Sequence, residues 1–468
     1  MDTLDSPRIP ALLPAQVRTC IEVLRAIEAD RSHLTQVPPE QRRELLTLAG
    51  LIAKPERHDL VRMAKAFRRA ERVAARERDQ QILQQTGLRI QRRATRYTPL
   101  WLPEAQAPDA AAAQPSLGSA RNCYICKQPF SLPHRYYDSM CRECGDFNYA
   151  KRTQTADLSG HCALVTGARV KIGFQAALKL LRAGAQVIVT TRFPVDAAER
   201  YALEPDYPQF RERLQIHGLD LRHSPSVELF ARVLIERLPR LDYLVNNACQ
   251  TVRRPPAFYA HLLSKESMPY PQLPEILHGP GLLHSPRGED LFPAQRYDED
   301  QQQIDLRATN SWRLRLHEVT TPELLEVHLV NAIAPYILNA RLKVLMSGTA
   351  GAHKHIVNVS AMEGQFYRTT KTERHPHTNM AKAALNMMTR TSAPDYLRDG
   401  IHMNAVDTGW VTDEDPAVHA ARKAEAGFAP PLDIIDGAAR ILDPIFAGRN
   451  SGTQVWGQFL KDYRPAPW

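Results

Sequence analysis

Residues 162–191 decide the fold, since they read CALVTGARVKIGFQAALKLLRAGAQVIVTT and combine two apolar strands with a glycine turn and a helix. The apolar run Cys162–Thr166 predicts a strand, the turn follows at 167–173, and residues 174–181 have helical composition. A second apolar run, 187–191, predicts the next strand. Strand, glycine turn and helix in this order form the unit whose helix N-terminus accepts a pyrophosphate.

The first hundred residues predict helices. Val17, Cys20, Ile21 and Leu24 recur at three- and four-residue steps, and between residues 62 and 96 the helical pattern carries many arginines. We therefore expect a helical basic region at 1–100, whose arginines either form a solvated helix face or contact nucleic acid or an acidic protein. Residues 101–120 are rich in alanine, proline, glutamine and serine and predict a linker.

Two C-x2-C pairs between the linker and the glycine turn predict a metal site. Their spacing, C-x2-C-x14-C-x2-C, allows two tight turns to place four thiolates around one tetrahedral ion, which leaves no coordination position open. The alternative is a set of redox-active or simply buried cysteines. We expect structural Zn²⁺ in a zinc-ribbon or treble-clef module at residues 121–152, with the ligands Cys123, Cys126, Cys141 and Cys144.

Composition sets broad limits on the function. The chain has 468 residues, of which 43% are hydrophobic and 24% charged, as in soluble globular proteins of more than one domain. The net charge of +9 fits an anionic ligand or a basic surface. No run approaches roughly 18 uninterrupted apolar residues, and the acidic start does not resemble a secretory signal. Paired and scattered cysteines favour a reducing compartment, so we expect a cytoplasmic protein without a membrane span.

Further segments, in a fixed order, resemble the short-chain dehydrogenase/reductase family. An acidic residue behind the third strand, an Asn-Asn-Ala element and a helix asparagine follow the glycine turn in this order. A fifth strand ending in Ser360, a helix lysine, the segment 403–411 and a closing strand at 452–460 come after them. The resemblance implies an α/β fold at 157–468, with a Rossmann-type doubly wound parallel sheet. An insertion at about 251–319 is a substrate lid, a docking surface or an elaboration without function.

The resemblance also implies a nicotinamide cofactor. The second strand ends in Thr191-Arg192, where an NAD site tends to hold a carboxylate, and Arg169 lies inside the glycine turn. We therefore expect NADP(H) rather than NAD(H). Lys171 replaces the middle glycine of the family's turn. The cofactor-binding residues implied by the resemblance are Thr166, Gly167, Arg169, Lys171, Ile172, Gly173, Arg192, Asp220, Leu221, Asn247, Ala248, Lys382, Gly409 and Val411.

The catalytic pattern of the family is incomplete. Its tyrosine position, four residues before the lysine, holds Thr378, and its second serine position holds Ala361. A threonine hydroxyl is far less acidic than a phenol and cannot simply replace it. Tyr367, in a lengthened loop, is our predicted proton donor, and His375 and His377 are further proton-transfer candidates. The predicted catalytic set is Asn331, Ser360, Tyr367 and Lys382.

These residues favour an NADP(H)-dependent oxidoreductase that transfers hydride to or from a carbonyl or alcohol in a rearranged site. The alternative is a catalytically degenerate nucleotide-binding scaffold or sensor, which engages a protein partner through its zinc module and basic helices or through the insertion. Nucleic-acid binding is least favoured, because no aromatic residues interleave with the arginines. The resemblance further implies a small-molecule substrate and a homo-oligomer built on helices that include the lysine helix.

Overall fold

The computed structural model describes residues 13–93, 115–266, 276–277 (backbone only), 291–293, 295–298, 302–351, 353–367 and 371–468. Most of the predicted linker and part of the predicted insertion lie outside these ranges. The chain divides into two compact units, Met1–Arg76 and Glu77–Trp468. The cysteine module and the sheet belong to the same unit.

The helical character predicted for the first hundred residues is confirmed over residues 13–93. None of the side chains of the first two helices is buried. The boundary between the two units falls inside the third helix. The helices of this region are α1 (Pro14–Ala29), α2 (Pro39–Ala53), α3 (Arg57–Leu83) and α4 (Gly87–Arg92).

The cysteine region folds as a two-stranded antiparallel hairpin followed by a helix. The hairpin is β1 (Arg121–Asn122) with β2 (Pro129–Phe130), and the helix is α5 (Arg142–Thr153). Cys141 is the N-cap residue of α5, so the second cysteine pair opens the helix. The predicted small module with a helix after its second pair is therefore confirmed as a fold.

A nine-stranded sheet forms the centre of the second unit, and its order is β11-β10-β9-β8-β6-β3-β4-β5-β7. All neighbours are parallel except β10 and β11. The chain order reverses at β3, which places the switch point of a doubly wound sheet between β3 and β6. The strands are β3 (Cys162–Thr166), β4 (Gln186–Thr191), β5 (Leu214–Gly218), β6 (Tyr243–Asn246), β7 (Ile276–Leu277), β8 (Lys354–Ser360), β9 (Ile401–Asp407), β10 (Phe459–Lys461) and β11 (Arg464–Ala466).

Helices cover both faces of the sheet, which explains why β3, β8 and β9 are buried along their whole length. Side chains of α6 and α15 pack in the core on one face, and those of α9, α12 and α13 on the other. The predicted Rossmann-type fold is confirmed. The helices are α6 (Lys171–Arg182), α7 (Pro194–Ala202), α8 (Tyr207–Phe210), α9 (Ser224–Arg237), α10 (Ala260–Glu266), α11 (Thr321–His328), α12 (Ala334–Gly348), α13 (Pro376–Leu397), α14 (Ala417–Glu425) and α15 (Ile434–Ser451).

Two elements differ from the sequence-based expectation. The closing strand is short, Phe459–Lys461, because residues 452–458 approach it as a loop. The predicted insertion supplies β7, which extends the sheet beyond β5.

The helical segment Thr321–Gly348 is long and apolar enough to cross a membrane by length and composition alone. However, 56% of its most apolar window is buried inside the protein, and α12 packs in one apolar core with α9 and strands of the sheet. A π-helical turn at Leu329–Ile333 joins α11 to α12. Such turns occur often at functional sites, and this one carries Asn331.

Candidate functional site

The glycine turn between β3 and α6 is shaped by close backbone contacts. A Cβ on Gly167 would lie 2.8 Å from Ala248 Cα, and one on Gly173 would lie 2.4 Å from Gly167 O. Both glycines are therefore required for the packing of the turn. Lys171 adopts a left-handed backbone conformation, φ +56°, which glycine adopts more readily. Lys171 therefore occupies a backbone conformation that suits glycine, the residue that the family has at this position.

The residues Thr166, Asn247 and Ala248 brace this turn. Asn247 Nδ2 donates to Thr166 O (3.0 Å) and Gly167 O (3.2 Å), and the backbone N–H of Ala248 donates to Thr166 Oγ1 (3.0 Å). Ile172 packs toward α15, where a Cβ on Gly437 would lie 2.9 Å from its side chain. These contacts hold the N-terminus of α6 at the carboxyl end of β3, where a phosphate can approach it.

The two arginines predicted at the ribose end of the site have different surroundings. Arg169 is 7% exposed and donates from Nη1 to Asp196 Oδ2 (2.6 Å). Arg192 is half-buried, with its guanidinium 4.5 Å from the ring centroid of Tyr259. Arg169 is thus already neutralised by a carboxylate, whereas the contacts of Arg192 described here are with aromatic rings. Sequence reasoning did not find Tyr259, because no motif marks it.

The helix that follows β4 has a carboxylate at its start. Glu266, from α10, accepts hydrogen bonds from the backbone N–H groups of Val195 (3.1 Å) and Asp196 (3.2 Å). Asp220, one of the predicted cofactor-binding residues, forms an ion pair with Arg222 (2.5 Å), which donates to both of its carboxylate oxygens. Burial raises the pKa of Asp220, but hydrogen bonds from Arg222 outweigh burial and lower it. The side chain of Leu221 lies in the apolar core.

At the other end of the site, three predicted catalytic residues are buried and hydrogen-bonded. Asn331 accepts from the backbone N–H of Gln250 (2.7 Å) and donates to Gln250 O (3.1 Å). Lys382 Nζ donates to Val359 O (2.7 Å), and Ser360 Oγ donates to Asn386 Oδ1 (2.5 Å). The structure therefore fixes Ser360 and Lys382 on β8 and α13, and Asn331 on the adjoining π-turn.

The structure does not bring Tyr367 together with these residues. Its side chain is 98% exposed, whereas Lys382 is 4% exposed, so the phenol ring does not contact the buried lysine. Lys371, four residues after Tyr367, donates to Glu363 O (2.8 Å) and to Gln365 O (2.5 Å). Thr378 is buried, and its Oγ1 has no hydrogen-bond partner within the described chain.

A buried acid–histidine pair lies beside Thr378. Nε2 of His377 is 3.6 Å from Oε1 of Glu323 on α11, and both side chains are nearly inaccessible. Burial raises the pKa of Glu323, but the contacts with His377 and Ser311 outweigh burial and lower it. Among the described residues, neither ring nitrogen of His377 has a hydrogen-bond partner. His377 was a sequence-based candidate, whereas Glu323 carried no signal.

His375, the other histidine candidate, is positioned differently. Its ring stacks on Trp312 at 3.9 Å between centroids, and Nδ1 lies 3.0 Å from Asn379 Oδ1. Burial lowers the pKa of His375. The ring is therefore held by the insertion and by its own helix.

The four predicted metal ligands come together. Their sulfur atoms all lie within 4.8 Å of one another, and Cys126 Sγ is 3.8 Å from Cys141 Sγ. A tetrahedral ion with Zn–S bonds of about 2.3 Å places neighbouring sulfurs about 3.8 Å apart. The donor set therefore fits a tetrahedral soft ion.

The cysteine module packs directly against the last predicted cofactor residues. Gly409 has φ +75°, and a Cβ there would lie 2.5 Å from Leu432 Cδ1 and 3.2 Å from Tyr124 Oη. Val411 is buried in the same apolar cluster as Cys123 and Tyr136. The loop after β9 is thus part of the module's core as well as of the candidate site.

Comparison with known proteins identifies related sequences over much of the chain. A short chain dehydrogenase profile matches residues 161–265, and an Enoyl-(Acyl carrier protein) reductase profile matches residues 307–428. An uncharacterized protein of Acanthamoeba polyphaga mimivirus, R665, is 33% identical over 361 residues, which are 73% of this chain and 75% of the viral protein. This match covers more than two thirds of both chains.

Shorter similarities involve named dehydrogenases. Dehydrogenase/reductase SDR family member 13 of Bos taurus is 36% identical over 104 residues, 21% of this chain and 27% of that protein. Retinol dehydrogenase 13 of Mus musculus is 37% identical over 93 residues, 20% of this chain and 28% of that protein. The chain therefore matches less than a third of the length of these two relatives.

Solved structures also resemble the chain. The Pseudomonas aeruginosa RhlG/NADP active-site complex gives a TM-score of 0.45 at 20% identity, over 65% of this chain and 95% of that one. NADPH-bound carbonyl reductase from chicken fatty liver gives 0.44 at 20% identity, over 66% and 100%. The extent of the viral relative, the two profiles and the residue pattern on the sheet agree, and the chain belongs to the short-chain dehydrogenase/reductase family of oxidoreductases.

Proposed function

We propose that the protein is an NADP(H)-dependent oxidoreductase that transfers hydride to or from a carbonyl or alcohol. The observation that carries the proposal is the burial of Asn331 and Lys382, each held by a short hydrogen bond near the carboxyl end of the sheet. Lysine side chains are rarely buried unless they are paired, and Lys382 on α13 is paired with a backbone carbonyl at the end of β8. The glycine turn supports a pyrophosphate at the N-terminus of α6.

The preference for NADP(H) rests on Arg192. Position 192 follows β4, where a carboxylate would favour the ribose hydroxyls of NAD. An arginine there offers charge-assisted hydrogen bonds to a 2′-phosphate. Arg169 contributes less than the sequence implied, because Asp196 already neutralises it. Thr166, Asn247 and Ala248 hold the shape of the glycine turn.

The cofactor, when bound, supplies or accepts hydride at the C4 atom of its nicotinamide. Lys382 would hold the nicotinamide ribose, and Ser360 would hydrogen-bond the substrate oxygen. For the proton we propose His377 instead of Tyr367, because His377 is buried beside Thr378 and paired with Glu323. In reduction, His377 would donate a proton to the substrate oxygen, and the Glu323 carboxylate, 3.6 Å from Nε2, would stabilise the positive charge on the ring.

Binding and turnover test this function separately. Full-length protein titrated with NADPH should quench or shift the cofactor fluorescence, and a panel of aldehydes and ketones should show consumption of NADPH at 340 nm. Binding without turnover on any member of a chemically broad panel would contradict the proposal. It would favour the second candidate.

The second candidate is a nucleotide-binding scaffold or sensor without turnover. Thr378 and Ala361 support it, because they remove two groups that the family uses in catalysis. Its protein partner would bind through the cysteine module, the basic helices or the insertion. A partner whose affinity changes with NADPH occupancy, measured by calorimetry, would support this candidate.

We propose that the cysteine cluster holds structural Zn²⁺. Four thiolates and the 3.8 Å sulfur separation suit a tetrahedral ion with no open position. Metal analysis of protein purified without chelator should find about one zinc per chain. We also propose a reducing, cytoplasmic location, because two C-x2-C pairs and scattered single cysteines favour metal binding over a disulfide framework.

The protein is also proposed to form a homo-oligomer through α12 and α13. Tyr336 and Val344 on α12, and Met380 and Met387 on α13, are large apolar side chains that are more than half exposed. Apolar side chains on two adjacent helices are typical of an interface with a second copy. Sedimentation should give a dimer or tetramer, and Tyr336→Asp should shift it toward monomer.

A further inference from the structure

The chain between β9 and α15, residues 408–433, is here called the nicotinamide loop. It begins with the predicted cofactor residues Gly409 and Val411, and α14 lies in its middle. No residue of α14 is buried. The insertion contacts the loop at Glu414 and Asp415, through Asn310 (2.8 Å) and Arg313 (3.3 Å). The more deeply buried contacts are at its two ends.

The first end of the nicotinamide loop is held by the hairpin of the cysteine module. The hydroxyl of Tyr124, the residue after Cys123, accepts a hydrogen bond from the backbone N–H of Trp410 (3.0 Å). Val411, next to Trp410, is 5% exposed and packs with Phe130 of the hairpin in one apolar cluster. A displacement of the hairpin would therefore displace Val411.

Two arginines of α4 hold the far end. Arg92 Nη2 donates to Leu432 O (2.7 Å) and to Val411 O (3.2 Å), so one guanidinium joins both ends of the loop. Arg89 donates to Gly427 O (2.9 Å) and forms an ion pair with Asp138 of the cysteine module (2.5 Å). Charge-assisted bonds of this kind fix geometry more strongly than neutral ones.

The start of α15 is joined to the same module. Asp433 accepts hydrogen bonds from Tyr136 Oη (2.8 Å) and Arg152 Nη1 (2.7 Å), and Asp436 accepts one from Tyr137 Oη (2.5 Å). All five side chains are buried. Breaking such a network leaves buried charges without partners, which is costly. The module and the end of the nicotinamide loop therefore move as one body.

We propose that the cysteine module, together with α4, positions the nicotinamide loop, so that loss of the module's metal weakens cofactor binding before the sheet unfolds. Tyr124, Arg89 and Arg92 are positioning residues, which act through the loop. Affinity falls in proportion to the fraction of molecules whose loop is in place. The identity of the cofactor rests on the proposed function, whereas the position of the loop does not.

The test compares full-length wild type, metal-depleted wild type, Arg92→Ala and Tyr124→Phe. Arg93→Ala is the matched control, because Arg93 lies beside Arg92 and its guanidinium bonds to Gln84. One readout is the Kd for NADPH. The other is the rate of tryptic cleavage after Arg422 and Lys423, which lie in α14. The second readout needs no cofactor.

Metal depletion and Arg92→Ala are expected to raise the Kd about tenfold and to accelerate cleavage at least about fivefold. Tyr124→Phe should change both about threefold, and Arg93→Ala should stay within about twofold of wild type. Circular dichroism melts show whether each variant is folded. If metal depletion unfolds the whole chain, the proposed effect of metal loss is overturned, and Arg92→Ala and Tyr124→Phe, which keep the cysteines, decide the positioning role alone.

Unchanged cleavage in folded Arg92→Ala and Tyr124→Phe would overturn the positioning role. So would weaker NADPH binding without faster cleavage. If wild type fails to bind NADPH while these variants are still cleaved faster, the proposed function fails and the positioning role stands.

Discussion

The two ends of the candidate site have kept the family pattern to different degrees. At the glycine turn, Gly167 and Gly173 are in contact so close that a Cβ would meet backbone atoms at 2.8 and 2.4 Å. At the catalytic helix, Thr378 stands in the tyrosine position and a buried Glu323–His377 pair lies beside it. The turn is constrained by backbone geometry, whereas the catalytic end is constrained only by the chemistry that it must support.

This difference teaches which residues can change. A substitution in the turn has to be accommodated by main-chain atoms, and only Lys171 departs from the pattern, at the cost of a left-handed conformation. A proton donor can instead be replaced by another group that reaches the same atom. The sequence of the turn is therefore evidence for the fold, whereas the reaction at the catalytic end has to be established by experiment.

The largest expected effect comes from filling the glycine turn. Gly173→Ala places a Cβ 2.3 Å from Asn247 Nδ2 and 2.4 Å from Gly167 O, so the turn must open. We expect a loss of about 3 kcal/mol of unfolding free energy and of detectable NADPH binding. Chemical denaturation and fluorescence titration measure the two effects.

Gly348→Ala is the control for this change. It lies at the end of α12, and a Cβ there meets nothing within 4 Å. Its unfolding free energy should stay within about 0.5 kcal/mol of wild type. If Gly173→Ala changes the free energy of unfolding as little as Gly348→Ala does, the close packing of the turn does not explain why position 173 is a glycine.

The second prediction concerns the proton donor at the catalytic end. His377→Gln should lower kcat for carbonyl reduction by about 10²- to 10³-fold, with the Kd for NADPH within about twofold of wild type. Glutamine keeps much of the volume but cannot carry a transferable proton at neutral pH. Stopped-flow or steady-state NADPH consumption gives kcat.

Tyr367→Phe is the matched test of the sequence-based donor. Because the ring of Tyr367 is 98% exposed, its loss should change kcat less than about twofold. If Tyr367→Phe loses most of its kcat while His377→Gln keeps the wild-type kcat, Tyr367 is the proton donor after all. Its loop must then close over the site during turnover.

Local sequence signals predicted the fold well. The strand Cys162–Thr166 has the bounds that its apolar run indicated, and the cysteine spacing alone predicted a cluster of four thiols. Both signals arise from residues close together in the chain, where periodicity and turn geometry act directly.

Contacts between distant segments could not be predicted. Arg92 and Leu432 are 340 residues apart in sequence, and nothing in either segment marks the other as its partner. The role of Glu323 could not be predicted either, because a single glutamate on a helix usually faces solvent. The missed residues all act through tertiary contacts, which a single sequence does not record.

The third prediction concerns the acid sensitivity of the sheet below the catalytic end. Burial, reinforced by neighbouring His402, lowers the pKa of His355 on β8 to about 3. An unfolded histidine binds its proton below about pH 6.5, so acid favours the unfolded chain. Protonation of this one histidine in the unfolded chain should lower the free energy of unfolding by about 2 kcal/mol between pH 7 and pH 5.

His355→Leu should remove this contribution of about 2 kcal/mol. Chemical denaturation at pH 7 and at pH 5 measures the free energy of unfolding of each protein. The exposed His317→Leu serves as control and should leave the pH dependence as it is in wild type. An unchanged pH dependence in His355→Leu would mean that this histidine is protonated as easily in the folded protein as in the unfolded one.

The smallest expected effect returns to the cofactor end, where the two arginines differ. Arg192→Ala should weaken NADPH binding about tenfold and leave NADH binding within about twofold, because only the former carries a 2′-phosphate for the guanidinium to bind. The exposed Arg341→Ala, which breaks an ion pair with Glu228, should change neither affinity. Equal weakening of both cofactors would instead mean that Arg192 supports the site through Tyr259. In that case the ribose end, like the glycine turn, would preserve shape rather than select a cofactor.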